Sequence, residues 1–196
     1  GTPLSALLGW IGYLKEQYPK ELAFGEMEKD IDRLSAITDR FSKIGSQPEL
    51  DKLDLSDTLE KTASYLRHRM GKKVVFTAEI QGDLERSHNE QLVSWVIENL
   101  VKNATDALEG EGTIELDARV ENYEVIITVR DSGKGIPTKL QRKIFSPGFT
   151  TKSRGWGLGL SLAKRIIQEY HKGSITLTES NPEKGSTFKI VLPLAQ

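Results

Sequence analysis

The chain has 196 residues, of which 37% are hydrophobic and 28% charged, values typical of a soluble protein with one ordinary domain and a smaller element. Its net charge of −1 gives no electrostatic reason to bind nucleic acid, and the absence of cysteine excludes a disulfide framework and a thiolate metal site. The apolar runs are too short for a transmembrane helix or a signal peptide. We therefore expect no direct membrane contact in this stretch and a cytoplasmic location, whether or not a longer parent chain is membrane-bound.

Residues 1–47 carry two helical patterns. The first ends near Gln17–Tyr18, and the second runs over residues 22–44 and is stopped by Gly45–Pro48. Two helices joined by a short turn predict an antiparallel hairpin. Such a hairpin leaves much of its apolar stripe uncovered, so we expect a homodimer that forms a four-helix bundle through this segment; packing against the downstream domain is the alternative. The first stripe consists of Leu4, Leu7, Leu8, Ile11 and Leu14.

Residues 48–196 predict a second domain of mixed helices and strands. After a polar linker, the elements alternate loosely and include adjacent hairpins, which is typical of an α+β fold with a mixed sheet and helices on one face. Ser56 or Asp57 is the expected cap of the first helix, and Pro137 the expected first turn of a later one. We predict strands at 53–55, 73–80, 113–120, 123–130, 174–179 and 186–192, and helices at 56–69, 89–108, 138–144 and 158–170.

The helix at 89–108 has an unusual polar side. At about 100° per residue, an apolar stripe faces a core, while Asn99, Lys102, Asn103 and Asp106 fall together on the opposite side. Asn is a poor helix former because its amide competes for nearby backbone groups, so two Asn on one helix face are unusual, and a binding face is one explanation. A plain solvated face is the alternative. The apolar stripe consists of Val93, Ile97, Leu100, Val101, Ala104 and Leu108.

A carboxylate and two glycines follow the most apolar predicted strand. Asp131 comes directly after Val125–Val129 and is succeeded by Gly133 and Gly135. One fixed acceptor, able to take an exocyclic amine such as that of adenine, would then lie beside a backbone that a flat ligand can approach. An ordinary turn is the alternative, since Asp, Ser and Gly are common turn residues.

A second glycine-rich segment, Gly155–Leu160, opens a helix. Glycines at a helix N-terminus leave backbone N–H groups free to meet phosphate. The GxGxG spacing matches neither a dinucleotide fingerprint nor a Walker loop, so a flexible connection is the alternative. The preceding loop, Phe145–Arg154, combines aromatic, hydroxyl and cationic side chains and predicts a mobile lid, with a disordered surface loop as its alternative.

In this order, the segments resemble the motifs of bacterial sensor histidine kinases of the GHKL ATP-binding superfamily. The resemblance covers nearly all of the chain. It implies a dimerisation and phosphoacceptor hairpin over 1–47 and an α/β sandwich of the GHKL (Bergerat) ATP-binding type over 48–196. The matching segments are Glu98–Ala107 (N box), Asp131–Gly135 (first glycine box), Phe145–Lys152 (F box), Gly155–Leu160 (second glycine box) and Gly185–Phe188 (last turn).

The resemblance implies ATP and Mg²⁺ as ligands and assigns roles to the polar residues. Asn103 would ligate Mg²⁺ bridging the phosphates, and Asn99 would support the phosphates or the metal. Asp131 would hold the adenine amino group. The candidates for contacting phosphate charge are Lys102, Lys152 and Arg154. The other implied nucleotide-binding positions are Asp106, Gly133, Gly135, Ile136, Gly155, Gly157, Leu158, Gly159, Leu160 and Thr187.

The N-terminus resembles the end of the family's His-Glu-x-x-Thr-Pro-Leu motif. Thr2, Pro3 and Leu4 match its last three residues, which implies a longer chain with an acceptor histidine three residues upstream of Gly1. Thr2 matches the position that helps place water when a response-regulator receiver domain is dephosphorylated, so it is the candidate phosphatase residue. The chain's own histidines cannot replace the acceptor, and we expect all three at the surface: His68, His88 and His171.

Asn99 separates the functional alternatives. ATPases of this superfamily usually carry a Glu general base at its position, and an amide cannot accept the proton of an attacking water. The NATDAL sequence that contains Asp106 departs from the basic residue of many relatives and resembles both nitrogen-regulation kinases and the ATPase members. We expect a protein-histidine kinase that relays phosphoryl to a response-regulator aspartate. A nucleotide-driven ATPase and a dimeric docking module without nucleotide binding are the alternatives.

Overall fold

The chain divides into two compact units, Gly1–Pro48 and Glu49–Gln196. The computed structural model describes residues 3–18, 24, 25, 27, 31, 48–82, 84–152, 155–182 and 184–194. In the first unit, helix α1 spans Pro3–Gln17, where the sequence predicts a helix. The predicted second helix, and the hairpin with it, lie outside the described residues except for four helical positions, Phe24, Gly25, Met27 and Ile31.

The second unit contains a five-stranded mixed sheet. The strand order is β2-β4-β5-β7-β6, with β2 and β4 parallel and the other neighbours antiparallel. Two further strands, β1 and β3, form a separate antiparallel pair. The strands are β1 (Asp51–Asp54), β2 (Val74–Ile80), β3 (Glu85–His88), β4 (Gly112–Glu121), β5 (Glu124–Asp131), β6 (Ser174–Asn181) and β7 (Gly185–Pro193).

One face of the sheet is buried and the other is charged. Leu116, Val129 and Phe188 are cross-strand partners on β4, β5 and β7 and are almost fully buried, and each such side chain stabilises the fold by roughly 1.5–3 kcal/mol. Alternate positions such as Glu115 and Arg130 point the other way and are exposed. The helices that cover the apolar face are α2 (Leu55–Arg67), α3 (Glu90–Ala107) and α5 (Gly159–Arg165).

Several element boundaries differ from the predictions. Asp54, not Ser56 or Asp57, caps α2, because its carboxylate accepts a hydrogen bond from the Ser56 backbone N–H at 2.8 Å. The predicted helix at 138–144 is the short α4, Thr138–Gln141, and Pro137 lies before it in an extended conformation. The helix predicted to Tyr170 changes after α5 into a π-helix, Ile166–Tyr170. The four-residue strand β3 was not predicted.

No helix among the described residues is both long and apolar enough to cross a membrane.

Candidate functional site

Helix α3 carries its polar residues on one side and its core residues on the other. The Asn89 side chain caps the helix by accepting from the Leu92 N–H at 3.0 Å. The whole predicted apolar stripe is buried. On the polar side, Lys102 and Asp106 are exposed, whereas Asn99 and Asn103 are half-buried. A plain solvated face therefore does not describe the two amides.

Asn99 lies against the glycine loop, Gly155–Leu160. Its Nδ2 atom is buried and has no hydrogen-bond partner, although burying an unsatisfied donor costs roughly 1–3 kcal/mol. A Cβ on Gly159 would clash with the Asn99 Oδ1 atom, so only glycine fits there without displacing the amide. The structure thus brings the N box and the second glycine box together and leaves one buried amide donor without a hydrogen-bond partner.

Asn103 and Asp106 hold a cationic side chain from the F-box loop, Phe145–Lys152. The Lys152 ammonium donates to Asn103 Oδ1 at 2.8 Å and to Asp106 Oδ2 at 2.5 Å. Two oxygens of α3 therefore converge on one positive charge. The Asn103 oxygen also suits Mg²⁺, a hard cation that prefers oxygen ligands.

A metal in this region would take most of its ligands from elsewhere. Within the described residues, no group of three or more His, Asp or Glu side chains could hold a metal ion. Asn103 Oδ1 is a neutral ligand that adds no charge. The residues present therefore fit a Mg²⁺ ion that would be bound mainly by phosphate oxygens and water, with the protein supplying one amide oxygen.

Asp131 ends β5 inside the fold. Its side chain is 4% exposed, and its Oδ1 accepts from the Gly133 N–H at 2.8 Å. Burial raises the pKa of the Asp131 carboxyl, while backbone hydrogen bonds from Gly133 and Ser186 partly oppose that rise. At neutral pH the carboxylate is thus poorly solvated and has acceptor capacity for a further donor. The bond from Gly133 is an Asx turn, so Asp131 also serves the turn that was the alternative, while the Ser132 hydroxyl accepts from the Thr113 N–H at 2.9 Å.

Close backbone approaches fix the first glycine box. A Cβ on Gly133 would lie 2.7 Å from the backbone of Ala107, at the C-terminus of α3, which ties this turn to the Asn-bearing helix. Gly135 has φ +62 and packs against the Asn181 backbone, a position that no other residue fits without strain. Next to it, the Ile136 N–H donates to Ser180 Oγ at 2.7 Å.

The glycine loop is braced against the F-box loop. Gly157 has φ +65, its carbonyl accepts from the Gly148 N–H at 3.0 Å, and a Cβ on it would meet the Gly148 backbone. A Cβ on Gly155 would lie 2.6 Å from Thr150 Oγ1. Both motifs therefore form one connected surface beside α3. Leu158 and Leu160 are half-buried within it, and Trp156 is exposed.

Some predicted site residues lie elsewhere. Thr2 and Arg154 are outside the described residues. Thr187 pairs with Arg130 on the charged face of the sheet, so strand alternation points it away from Asp131. The preceding residue, Ser186, is buried, pairs with Asp131 and was missed, because the motif alone does not fix which of two adjacent hydroxyls points inward.

Two histidines predicted at the surface are buried instead. The His171 ring donates through Nδ1 to the Ile166 carbonyl at 2.9 Å and accepts through Nε2 from the Asn89 N–H at 3.1 Å. His88 is held between the Arg86 carbonyl at 3.0 Å and the Thr58 hydroxyl at 2.8 Å. Desolvation lowers the pKa of both rings, that of His171 to about 4. His68 is exposed, as predicted.

Comparison with known proteins identifies the family. Residues 88–196 match the sequence model of the family described as histidine kinase-, DNA gyrase B-, and HSP90-like ATPase. Since this match covers more than half of the chain, the chain belongs to that family. The matched segment begins at the N-terminus of α3 and includes every part of the site described above.

Individual relatives are sensor kinases. The signal transduction histidine-protein kinase AtoS of Escherichia coli (strain K12) is 30% identical over 98% of this chain, which spans only 33% of AtoS. The solved catalytic domain of the histidine kinase ThkA is 33% identical, with a TM-score of 0.67 over 74% of this chain and 95% of that one. A solved complex of ThkA with the response regulator protein TrrA has a TM-score of 0.71 at 25% identity, covering 98% of this chain and 59% of that one. The chain therefore carries a GHKL domain of the kind found as the catalytic domain of histidine kinases.

Proposed function

We propose that this chain is the ATP-dependent core of a protein-histidine kinase. The observation that carries the proposal is the contact of Asn99 with Gly159, which brings a buried, unsatisfied amide donor to a bare glycine backbone. A phosphate group supplies the acceptor that this donor lacks. The same helix presents Asn103, and the first glycine box that follows Asp131 packs on its end.

Each part of the nucleotide has a candidate partner. Asp131 accepts from the adenine amino group, and the raised pKa of its buried carboxyl means that an added donor relieves an under-solvated charge. Asn103 offers its amide oxygen to Mg²⁺, which supplies charge neutralisation between the phosphates. Lys102 and Lys152 are the candidates for pairing with phosphate oxygens, and the glycine loop allows the backbone to approach them.

The proposed reaction is phosphoryl transfer to a histidine. A nitrogen of the acceptor imidazole forms a bond to the γ-phosphorus while the bond from that phosphorus to the β–γ bridging oxygen breaks, and ADP leaves with the electron pair. The phosphoryl group then passes to an aspartate of a response regulator. Positioning and charge neutralisation, rather than covalent help from the protein, are the requirements for such a transfer.

Hydrolysis of ATP by this site is the less favoured alternative. Asn99 cannot act as a general base, and Glu98 lies about 100° further round the helix. A docking module that has lost nucleotide binding is disfavoured for two reasons. Asp131 is buried and can accept a further hydrogen bond, and the glycines of both glycine boxes are present.

The partners are part of the proposal. We infer a homodimer through residues 1–47, since α1 exposes large apolar side chains, among them Trp10, which is 66% exposed. The complex of the related ThkA with a response regulator supports a receiver domain as the second partner. The acceptor histidine is proposed upstream of Gly1, and Thr2 is proposed to take part in dephosphorylating the receiver.

A chain extended upstream through the acceptor histidine tests the reaction. Incubation with γ-labelled ATP and Mg²⁺ is expected to give an acid-labile, alkali-stable phosphoprotein, and adding the cognate receiver should remove that label. Replacing the upstream histidine with glutamine is the matched control and should abolish labelling while leaving nucleotide binding intact. Steady phosphate release without labelled protein would contradict the kinase assignment and favour the ATPase.

A further inference from the structure

The unexplained feature of the site is the contact of Lys152 with α3. Its ammonium sits on Asn103 Oδ1 and Asp106 Oδ2 together, at 2.8 and 2.5 Å. Lys152, a candidate for contacting phosphate, is thus bonded both to the proposed metal ligand and to Asp106, an implied nucleotide-binding residue. Asp106 does not bind a ligand in this arrangement but anchors a lysine from the F-box loop.

The contact excludes the state in which a metal is bound. An ammonium at hydrogen-bond distance from Asn103 Oδ1 and a Mg²⁺ ion coordinated by that oxygen would be two cations within a few ångströms, and they would repel each other. We therefore expect this repulsion to displace Lys152 from Asn103 when the metal binds.

Movement of Lys152 would be transmitted along the loop. The Lys152 N–H donates to Thr150 Oγ1 at 3.1 Å, and the Lys152 carbonyl accepts from the Gly155 N–H at 3.2 Å. Gly155 in turn packs against Thr150, and Gly157 is bonded to Gly148. The lysine whose ammonium contacts α3 is therefore also bonded, through its backbone, to both the F-box loop and the glycine loop.

We propose that Lys152 is a latch that occupies the cation position on Asn103 when no nucleotide is bound, with Asp106 as the positioning residue that holds it. The arrival of Mg²⁺ with a nucleotide releases the ammonium from α3, so that it can meet the phosphates. The latch therefore lowers nucleotide affinity in the empty protein. The release of Lys152 by Mg²⁺ and a nucleotide rests on the proposed function. The contact of Lys152 with Asp106 in the nucleotide-free protein does not.

The first test uses the nucleotide-free 196-residue chain. Amide hydrogen exchange over residues 148–152 and 155–157 is measured in the wild type, Lys152→Met, Asp106→Asn and the double variant. Because the two side chains are 45% and 44% exposed, the link is worth little more than a surface ion pair, and each single variant should speed exchange about two- to fivefold. The double variant should go no further than Lys152→Met, because that change already removes the bonds to both Asp106 and Asn103.

A matched control separates the latch from general charge effects. Lys73→Met removes an exposed lysine that pairs with Glu111 at 3.4 Å, away from α3's polar face, and should leave exchange at 148–157 unchanged. Unchanged exchange in Lys152→Met and Asp106→Asn, or additive effects in the double variant, would overturn the latch.

The second test measures the dissociation constant of Mg²⁺ with a non-hydrolysable ATP analogue. Asp106→Asn should tighten binding about two- to fivefold when Lys152 is present, beyond any effect of the lost charge. That charge effect is given by the same substitution in the Lys152→Met background. Equal effects of Asp106→Asn in both backgrounds would overturn the proposal. If the wild type binds no nucleotide, the proposed function fails, while the exchange experiment still decides whether Asp106 holds Lys152.

Discussion

At the scale of single residues, the buried carboxylate of Asp131 lowers folding stability but is suited to binding a ligand. Its carboxyl pKa is raised by desolvation, so the ionised form at neutral pH costs folding stability, and this cost falls as pH decreases through the folded-state pKa. Asn at this position keeps an oxygen for the Gly133 N–H without a buried charge. The ionised carboxylate thus lowers stability, as expected for a carboxylate that binds a ligand.

Asp131→Asn should separate stability from binding. We expect urea unfolding to show unchanged or higher stability, and ATP binding to weaken about ten- to a hundredfold because a charge-assisted hydrogen bond is lost. Isothermal titration with Mg²⁺ and ATP measures the second effect. Asp117→Asn, on the opposite face of the same sheet, is the control and should change neither. Undiminished ATP affinity in Asp131→Asn would show that this carboxylate does not contact the nucleotide.

Gly159 offers a second test at this scale. An alanine in the first turn of a helix ordinarily stabilises it, but here the added Cβ would collide with Asn99 Oδ1. We expect Gly159→Ala to lower the free energy of unfolding by about 1–3 kcal/mol and to weaken nucleotide binding. Gly12→Ala in α1, where nothing lies within 4 Å of the new Cβ, should instead stabilise by roughly 0.4–1 kcal/mol. A stabilising Gly159→Ala would mean that Asn99 is not held against the glycine loop.

At the scale of elements, the buried His171 holds the N-terminus of α3. His171 accepts from the backbone N–H of Asn89, the residue that caps the helix, and the π-helix that precedes His171 supplies the carbonyl bonded to its other nitrogen. Both nitrogens of the ring are therefore used in a neutral tautomer. Protonation would remove the acceptor for the Asn89 N–H and place a charge beside Arg86.

Stability should consequently fall as pH decreases from about 6.5 to 4. The folded-state pKa of His171 is about 4, below the ordinary value of 6.5, so the unfolded chain binds more protons throughout this interval. The contribution of the neutral His171 ring to the free energy of unfolding is fully present above pH 6.5 and is lost as the pH falls towards 4. This contribution is on the order of 3 kcal/mol. His88, whose pKa is also lowered, adds to the same trend.

Urea unfolding at a series of pH values measures this dependence. His171→Gln should flatten the slope between pH 6.5 and 4, whereas His68→Gln, at an exposed position, should leave it as in the wild type. An unaltered slope in His171→Gln would contradict the assignment.

The elements that the sequence predicts correctly are those with strong periodicity. The α3 stripe and the long strands β4, β5 and β7 follow from spacing alone. β3 was missed because four residues, Glu85–His88, offer no apolar alternation. The π-helix, the buried histidines and the choice of Ser186 over Thr187 depend on contacts between residues far apart in the chain, which a local pattern does not contain.

The candidate site was likewise predictable only in part. Motif order alone indicates which segments meet, and the structure does bring the N box, both glycine boxes and the F box together. The Lys152 contact was not predicted, because which of several cations reaches α3 depends on how the F-box loop turns back.

At the scale of the whole molecule, the two units have different requirements for stability. The unit Glu49–Gln196 buries one face of its own sheet under its own helices, so its core is complete within one chain. In the first unit, helix α1 exposes Leu7, Trp10, Tyr13 and Leu14. Several large apolar side chains exposed along one helix are typical of a protein interface.

The chain should therefore be a dimer whose association depends on α1. Leu7→Glu combined with Leu14→Glu keeps residues of good helix propensity but places charges in the proposed interface, where each buried Leu contributes roughly 1.5–3 kcal/mol. Sedimentation equilibrium at micromolar concentration should show a dimer for the wild type and a monomer for the double variant. Gln17→Glu, at the end of the same helix, should remain dimeric. If the double variant is monomeric and still binds ATP with wild-type affinity, the nucleotide site is complete within one protomer, and the dimer serves the transfer to histidine rather than the binding of ATP.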